Sequence, residues 1–88
     1  MQIEITRKFQ KQVEVCTDRR IKSRVKSIIE AVIESNSMNG FANLKKLTGY
    51  KNSYRIRLGD YRIGIVIDDN IVTFAAFDHR SDIYKYFP

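Results

Sequence analysis

A chain of 88 residues holds one domain, since domains typically run to roughly 100 to 200 residues, and it leaves no room for a multi-domain enzyme with its own cofactor fold. The composition, 43% hydrophobic and 30% charged with one Pro and four Gly, is that of a folded domain with a thin core and excludes disordered, fibrous and low-complexity classes. Sixteen Lys and Arg against ten Asp and Glu give a net charge of +6, which favours polyanions or acidic protein segments as partners.

Met1 to Ile5 alternates with period two and reads as a short strand. Thr6 can cap a helix carrying Phe9, Val13 and Cys16, and Asp18 a second helix over Arg19 to Ser35. In the second helix Ile21, Val25, Ile28, Ile29, Val32 and Ile33 form one stripe, the mark of a helix buried on one face. Cys16 lies on the apolar stripe of the first helix and reads as core, because no second Cys is present to pair with it. A chain this small with one cysteine and no disulfide suits a reducing cytoplasm. The N-terminus has no uninterrupted apolar region of the signal-peptide kind. The longest apolar runs fall far short of the about 20 residues that a spanning helix needs.

Ser35 to Gly40 reads as a loop, and a turn of helix is expected around Asn43 to Leu47. From Ser53 the period becomes two: Tyr54, Ile56 and Leu58 oppose Arg55 and Arg57, then Tyr61, Ile63, Ile65 and Ile67 oppose Arg62, Gly64 and Val66. Gly59-Asp60 fits a type II′ hairpin loop, and Asp69-Asn70 fits a second reversal. The second loop would set Ile67 against Val72, Ile65 against Phe74 and Ile63 against Ala76. The expected fold is α+β, one domain over residues 1–88: an N-terminal strand, a two-helix hairpin, a three-stranded antiparallel meander packed on the helices, and a short C-terminal helical turn.

The same register predicts chemistry on the face away from the helices. Arg57 falls opposite Arg62 and Arg55 opposite Gly64, while Gly64 would face Ala75 and Arg62 would face Phe77. Directly opposed like charges destabilise a sheet by roughly 0.2 to 1 kcal/mol, so the pair calls for an anion, a carboxylate or open solvent. Small residues flanked by guanidinium groups and the Phe77 ring would make a shallow floor for a sugar-phosphate backbone with a base stacked beside it. Lys45, Lys46, Lys51, Arg55, Arg57 and Arg62, with Asp60 the one acid among them, place five of the six net positive charges between Leu44 and Arg62. His79, Arg80 and Tyr84 follow the last strand, and Arg80 and Tyr84 are spaced as one helical turn. Tyr84, Tyr86 and Phe87 also suit a plug on the end of the sheet. No phosphate loop, nucleophile elbow or metal-ligand spacing is found, and no metal or cofactor is expected.

Three elements together carry a family resemblance: Leu44-Lys45-Lys46-Leu47-Thr48-Gly49, Tyr54-Arg55-Ile56-Arg57-Leu58-Gly59-Asp60-Tyr61-Arg62-Ile63, and His79-Arg80-Ser81-Asp82-Ile83-Tyr84. They resemble the RelE side of the RelE/ParE superfamily of toxins from type II toxin-antitoxin modules. The resemblance implies a cytoplasmic, ribosome-dependent mRNA endoribonuclease that needs no metal, cuts mRNA in the ribosomal A site and is silenced by a cognate antitoxin protein. Carried over by position, it places Arg55, Arg57, Arg62, His79 or Arg80, and Tyr84 in the active site. Lys45, Lys46 and Lys51 become contacts to ribosomal RNA, and Phe77 borders the site. The implied reaction is attack of the mRNA 2′-OH on the adjacent phosphate. Arginines are too basic to take that proton, so the base role falls to His79 or Tyr84, with His79 favoured because histidine exchanges protons near neutral pH. Two other readings stay open, a ParE-like inhibitor of DNA gyrase and a catalytically silent module that binds nucleic acid or antitoxin.

Overall fold

Both expected caps begin helices in the computed structural model, which describes Met1–Pro88. Thr6 Oγ1 accepts the Phe9 N–H at 3.1 Å and starts the helix α1 (Arg7–Val15); Asp18 Oδ1 accepts the Ile21 N–H at 3.1 Å and starts α2 (Arg19–Glu34). Each cap satisfies a backbone donor that a helix start leaves unpaired, and is worth about 1 kcal/mol. The Thr6 hydroxyl also donates to the carbonyl of Ala75 at 3.1 Å, tying the start of α1 to the sheet.

The strands are β1 (Gln2–Ile5), β2 (Leu44–Lys46), β3 (Ser53–Leu58), β4 (Tyr61–Asp68) and β5 (Ile71–His79), followed by a 3-10 turn at Ile83–Lys85. They form one sheet in the order β1-β5-β4-β3-β2, with β1 parallel to β5 and every other pair antiparallel. The α+β class and the meander are as the sequence predicts. The segment from Asn43 to Leu47 is not helical: Leu44–Lys46 is a fifth strand, pairing Leu44 with Ile56, Lys45 with Arg55 and Lys46 with Tyr54. Asn43 enters it with φ of 65°, a left-handed conformation that Asn tolerates and that stops a helix from starting there.

Both reversals are tight. Gly59 has φ of 57°, as the first position of a type II′ loop requires, and Asp69 and Asn70 have φ of 48° and 63°, a type I′ pair. Between the two loops one expectation fails. A bulge at Gly64/Ile65 shifts the register, so Ile63 faces Phe77, Gly64 faces Ala76 and Arg62 faces Asp78. The pairs Ile65 with Phe74 and Ile67 with Val72 hold. The extra residue, Ala75, is taken up on β5, and everything after it changes faces.

The core lies between the helices and one face of the sheet. Phe9, Ile21, Val25 and Val32 meet Ile56, Leu58, Ile63, Ile65, Val72, Phe74 and Phe77 there. The buried stripe of α2 is narrower than predicted: Ile28 and Ile29 are half-buried and Ile33 is 50% exposed. Cys16 sits at the C-terminal cap of α1, half-buried against the core instead of within it. No helix is long and apolar enough to cross a membrane.

Beyond Phe74, where β1 ends, the edge of β5 is closed by α1. Gln12 Oε1 accepts the Phe77 N–H at 3.0 Å, and Gln12 Nε2 donates to the Tyr86 hydroxyl. That hydroxyl donates to Asp78 Oδ2 at 2.9 Å, and Lys8 Nζ sits 3.8 Å from the centre of the Tyr86 ring. The C-terminal segment is thus latched to both α1 and β5. Burial, together with the adjacent Asp78 carboxylate, pushes the Tyr86 phenol up to about 12 from its ordinary value near 10. A raised phenol stabilises the fold fully below its unfolded value and loses that contribution as pH rises through its folded value. Stability is therefore expected to fall between pH 10 and about 12. A Tyr86→Phe protein, starting lower for want of the two hydrogen bonds, should show a flatter decline in that window when denaturant midpoints are followed against pH.

Candidate functional site at the open face of the sheet

Alternation along β3 and β4 sends the apolar residues to the helices, and the odd-numbered arginines of β3 to the opposite face together with Arg62. The expected pairs are present: Arg57 stands opposite Arg62 and Arg55 opposite Gly64. The added strand β2 brings Lys45 directly opposite Arg55, so four cations share this face. Lys46, paired with Tyr54, points to the other side of the pleat, and with Lys51 it lines the loop through Leu47, Thr48, Gly49 and Tyr50. The structure therefore separates Lys46 and Lys51 from Lys45 and the arginines.

None of the four cations is neutralised within the chain. The ion pairs are Arg80 with Asp60 at 3.8 Å and Lys85 with Asp82 at 3.2 Å, both at exposed positions. Neutral carbonyls hold two of the guanidinium groups instead. Arg55 Nη1 donates to Asn43 O at 2.7 Å, and Arg62 Nη1 donates to Gly59 O at 2.8 Å and Tyr61 O at 2.9 Å. Such contacts orient a charge without cancelling it, leaving donors free for a planar anion. Asp78 is the acid nearest Arg62 in register, but its carboxylate is occupied elsewhere, accepting the His79 N–H at 2.8 Å and the Tyr86 hydroxyl.

Two features of the expected floor are corrected. Phe77 does not border it: the bulge turns the ring into the core, where it is 2% exposed, stacked on Tyr61 at 5.1 Å and edge-on to Phe9 at 6.4 Å. A buried ring is not available to stack on a base, so this part of the predicted site is withdrawn. The floor around Gly64 is also not open. Ile83 and Phe87, with Ala76, form a second small core there against Leu47, Val66 and Ala75. Of the expected plug only Phe87 is buried, joined by Ile83 while Tyr84 and Tyr86 stay exposed, and it confines the open part of the face to Lys45, Arg55, Arg57 and Arg62.

The remaining candidates lie near the β3–β4 turn, and the expected place of His79 is corrected: the same slip that buries Phe77 turns His79, two residues on, to the helix side of the sheet, away from the arginines. Arg80 donates its backbone N–H to Asp60 O at 2.7 Å, and His79 pairs across the ladder with Tyr61. His79 packs edge-on to the Tyr61 ring, with centroids 5.8 Å apart. Ser81 touches its Nδ1 twice: the backbone N–H donates at 3.1 Å and the hydroxyl lies at 2.8 Å. Beside it lies a cleft lined by Gln12, Val15, Cys16, Tyr61, Phe77, Asp78 and His79. The Tyr61 phenol is held above its ordinary range by charge on the neighbouring Cys16 sulfur and by burial. Tyr84, in the 3-10 turn, is 49% exposed. Tyr61, Ser81 and Gln12 were not singled out from sequence; Ser81 alone had a local signal, a hydroxyl two residues past a histidine at a strand end.

Comparison with known proteins gives a consistent picture. A family described as the ParE toxin of the type II toxin-antitoxin system, parDE, matches residues 3–84. Toxin RelE3 of Methanocaldococcus jannaschii is 48% identical over 69 residues, which cover 77% of this chain and 78% of that protein. The structure superposes on the RelB-RelE antitoxin-toxin complex from Methanococcus jannaschii with a TM-score of 0.85 and 40% identity, covering 97% of this chain and 99% of that one. It also shares its fold with the archaeal RelE-RelB complex of Pyrococcus horikoshii, at a TM-score of 0.73 and 19% identity over 92% and 96% of the two chains.

Proposed function

This chain belongs to the RelE/ParE superfamily and is a RelE-family toxin of a type II toxin-antitoxin system, and from that premise we propose that it is an mRNA endoribonuclease working in the ribosomal A site. The observation that carries the reading is the row of cations, Lys45, Arg55, Arg57 and Arg62, set on one sheet face with no carboxylate partner. The opposition of Arg57 and Arg62 is costly without an anion, and a phosphate between them removes the cost. Transfer of the 2′-OH oxygen to phosphorus spreads negative charge over the phosphate oxygens, which fixed guanidinium groups stabilise more in the transition state than in the ground state.

His79 takes no part in the step: it pairs with Tyr61 and projects to the helix side of the sheet, away from the arginines. The 2′-OH proton passes to Tyr84 Oη as that hydroxyl releases its own to water, the 2′-oxygen bonds to phosphorus, the P–O5′ bond breaks, and the 5′-oxygen takes a proton from water. Products are a 2′,3′-cyclic phosphate and a 5′-hydroxyl end. Lys46 and Lys51 serve as contacts to ribosomal RNA, through charge that needs no sequence recognition. An antitoxin, as in the RelB-RelE complexes of the relatives, is the protein partner, and an acidic amphipathic chain that folds on binding fits the charge.

Purified protein mixed with translating ribosomes, with primer-extension mapping of mRNA ends, tests the reading. Cuts at A-site codons are expected, and a Tyr84→Phe protein should cut about a hundredfold more slowly. Wild-type cleavage by that variant removes Tyr84 from the mechanism. The family match is described by its ParE members, which gives the gyrase reading its one specific support; gyrase-dependent DNA damage without mRNA cuts would establish it in place of the nuclease.

A further inference from the structure

We propose that the loop between β2 and β3 is a second RNA site, in which an unpaired base stacks on Tyr50 while Lys46 and Lys51 hold the phosphates beside it. The proposal gives the ribosomal RNA contact a chemistry, and it rests on the endoribonuclease reading only for which RNA is bound. Tyr50, Tyr84 and Tyr86 are the exposed tyrosines. Tyr86 is latched by Gln12 and Asp78, and Tyr84 serves the cleavage step. Tyr50 has no such employment: its ring is 50% exposed and belongs to neither core cluster.

The loop that carries it is pinned at both ends. Leu47 N–H donates to Ser53 O at 2.9 Å, Tyr50 N–H to Leu47 O at 3.3 Å and Ile67 N–H to Asn52 O at 3.0 Å. The Leu47 side chain packs on the small core of Ala76, Ile83 and Phe87, so little ordering is left to be done on binding. The turn encloses an open cleft of about 500 Å3 lined by Lys46, Leu47, Thr48, Gly49, Tyr50 and Lys51. No ion pair engages either lysine, and no Asp or Glu occurs between Glu34 and Asp60. An anion is therefore the complementary occupant. Ammonium groups flanking an exposed ring match a single strand, which offers a flat base next to each phosphate. An acidic peptide would satisfy the lysines and leave the ring without a partner, and a duplex keeps its bases stacked on one another. Lys45 and Lys46 are neighbours in β2 and point to opposite sides of the sheet, so this strand divides the two sites. Guanidinium forks suit a phosphate that must be held in one orientation, whereas lysines are flexible point charges that suit a strand held without being cut. The strand cut and the strand held are thus different stretches of RNA.

The chain has no Trp, so Tyr50→Trp places a single indole in the loop. Its fluorescence should be quenched by a short unpaired RNA oligonucleotide, and far less by the same strand annealed to its complement or by an acidic peptide of equal charge. The quench should persist when Arg57→Thr is added, since that change touches the other face only. Adding Lys46→Ala or Lys51→Ala should lower the salt slope of the quench by about 0.7 each. In ribosome-dependent cleavage Tyr50→Ala should lose about five- to a hundredfold, the loss lying in KM and not in kcat, and Tyr50→Phe should retain most of the wild-type value. No quench, an equal quench by duplex or peptide, or a wild-type KM in Tyr50→Ala would each overturn the assignment. If the wild-type protein cuts no mRNA, the nuclease reading fails, and the quench still decides whether this loop holds an unpaired base.

Discussion

An Arg57→Thr protein is expected to be more stable than the wild type and far less active. Arg57 stands directly opposite Arg62, and removing one of two opposed like charges should return about 0.2 to 1 kcal/mol to the sheet. Little is lost in exchange. The Arg57 side chain is exposed, whereas Arg55 and Arg62 each hold a backbone carbonyl. Threonine also suits a strand position. The same change takes away an unpaired guanidinium at the place where phosphate charge would develop, and losing one such fixed donor typically costs about a hundred- to a thousandfold in rate. A denaturant midpoint that rises while ribosome-dependent cleavage collapses would show that the charge is kept for function at the expense of stability. Loss of stability in this variant would mean instead that Arg57 is a structural residue. Binding should respond too, because each phosphate contact removed lowers the salt slope of single-strand affinity by about 0.7. Arg62→Gln is the useful contrast, since it relieves the same repulsion but gives up the bonds to Gly59 O and Tyr61 O, so its gain in stability should be smaller.

The cation face was legible because alternation in β3 and β4 is strict: apolar residues at 54, 56, 58, 61, 63, 65 and 67 leave the arginines no other side. Thr6 and Asp18 were legible for a similar reason, their caps acting on the third residue along the same chain. What failed depended on distant partners or on residues without polarity. Leu44–Lys46 is three residues long, too short to show a period, and becomes a strand only because the edge of β3 receives it. The bulge fell in Ala75-Ala76-Phe77, an apolar run that reads equally well in either register, so a slip of one residue carried Phe77 from the open face to the core. Gln12 caps an amide 65 residues away. His79 follows Phe77 by two residues, so the same slip carried it to the helix side, away from the arginines it was expected to join.

The largest structural effect is expected from Gly64→Val. An ideal Cβ at position 64 would lie 2.6 Å from Cδ2 and 2.7 Å from Cε2 of Phe87, far inside van der Waals contact, because the ring lies over the bare backbone of β4. Gly64 is thus required by close approach and not by its own backbone angles. The strand will not move, being bonded on both sides to β3 and β5, so the ring must leave and uncover Ile83 and Ala76, the other buried members of this small core. Overpacking of this kind costs about 1 to 3 kcal/mol, partly offset by the better fit of Val to a strand. Cleavage should fall as well, since the displaced segment carries Tyr84 and the Tyr86 latch. A Gly64→Val, Phe87→Ala double variant separates the steric cause from any other: the valine then fills space the ring has vacated. Its loss of stability should be clearly smaller than the sum of the two single losses, a coupling of about 1 kcal/mol or more. Additive losses would mean that Phe87 does not rest on Gly64 in solution, and that the face beside the arginines is wider than the structure describes.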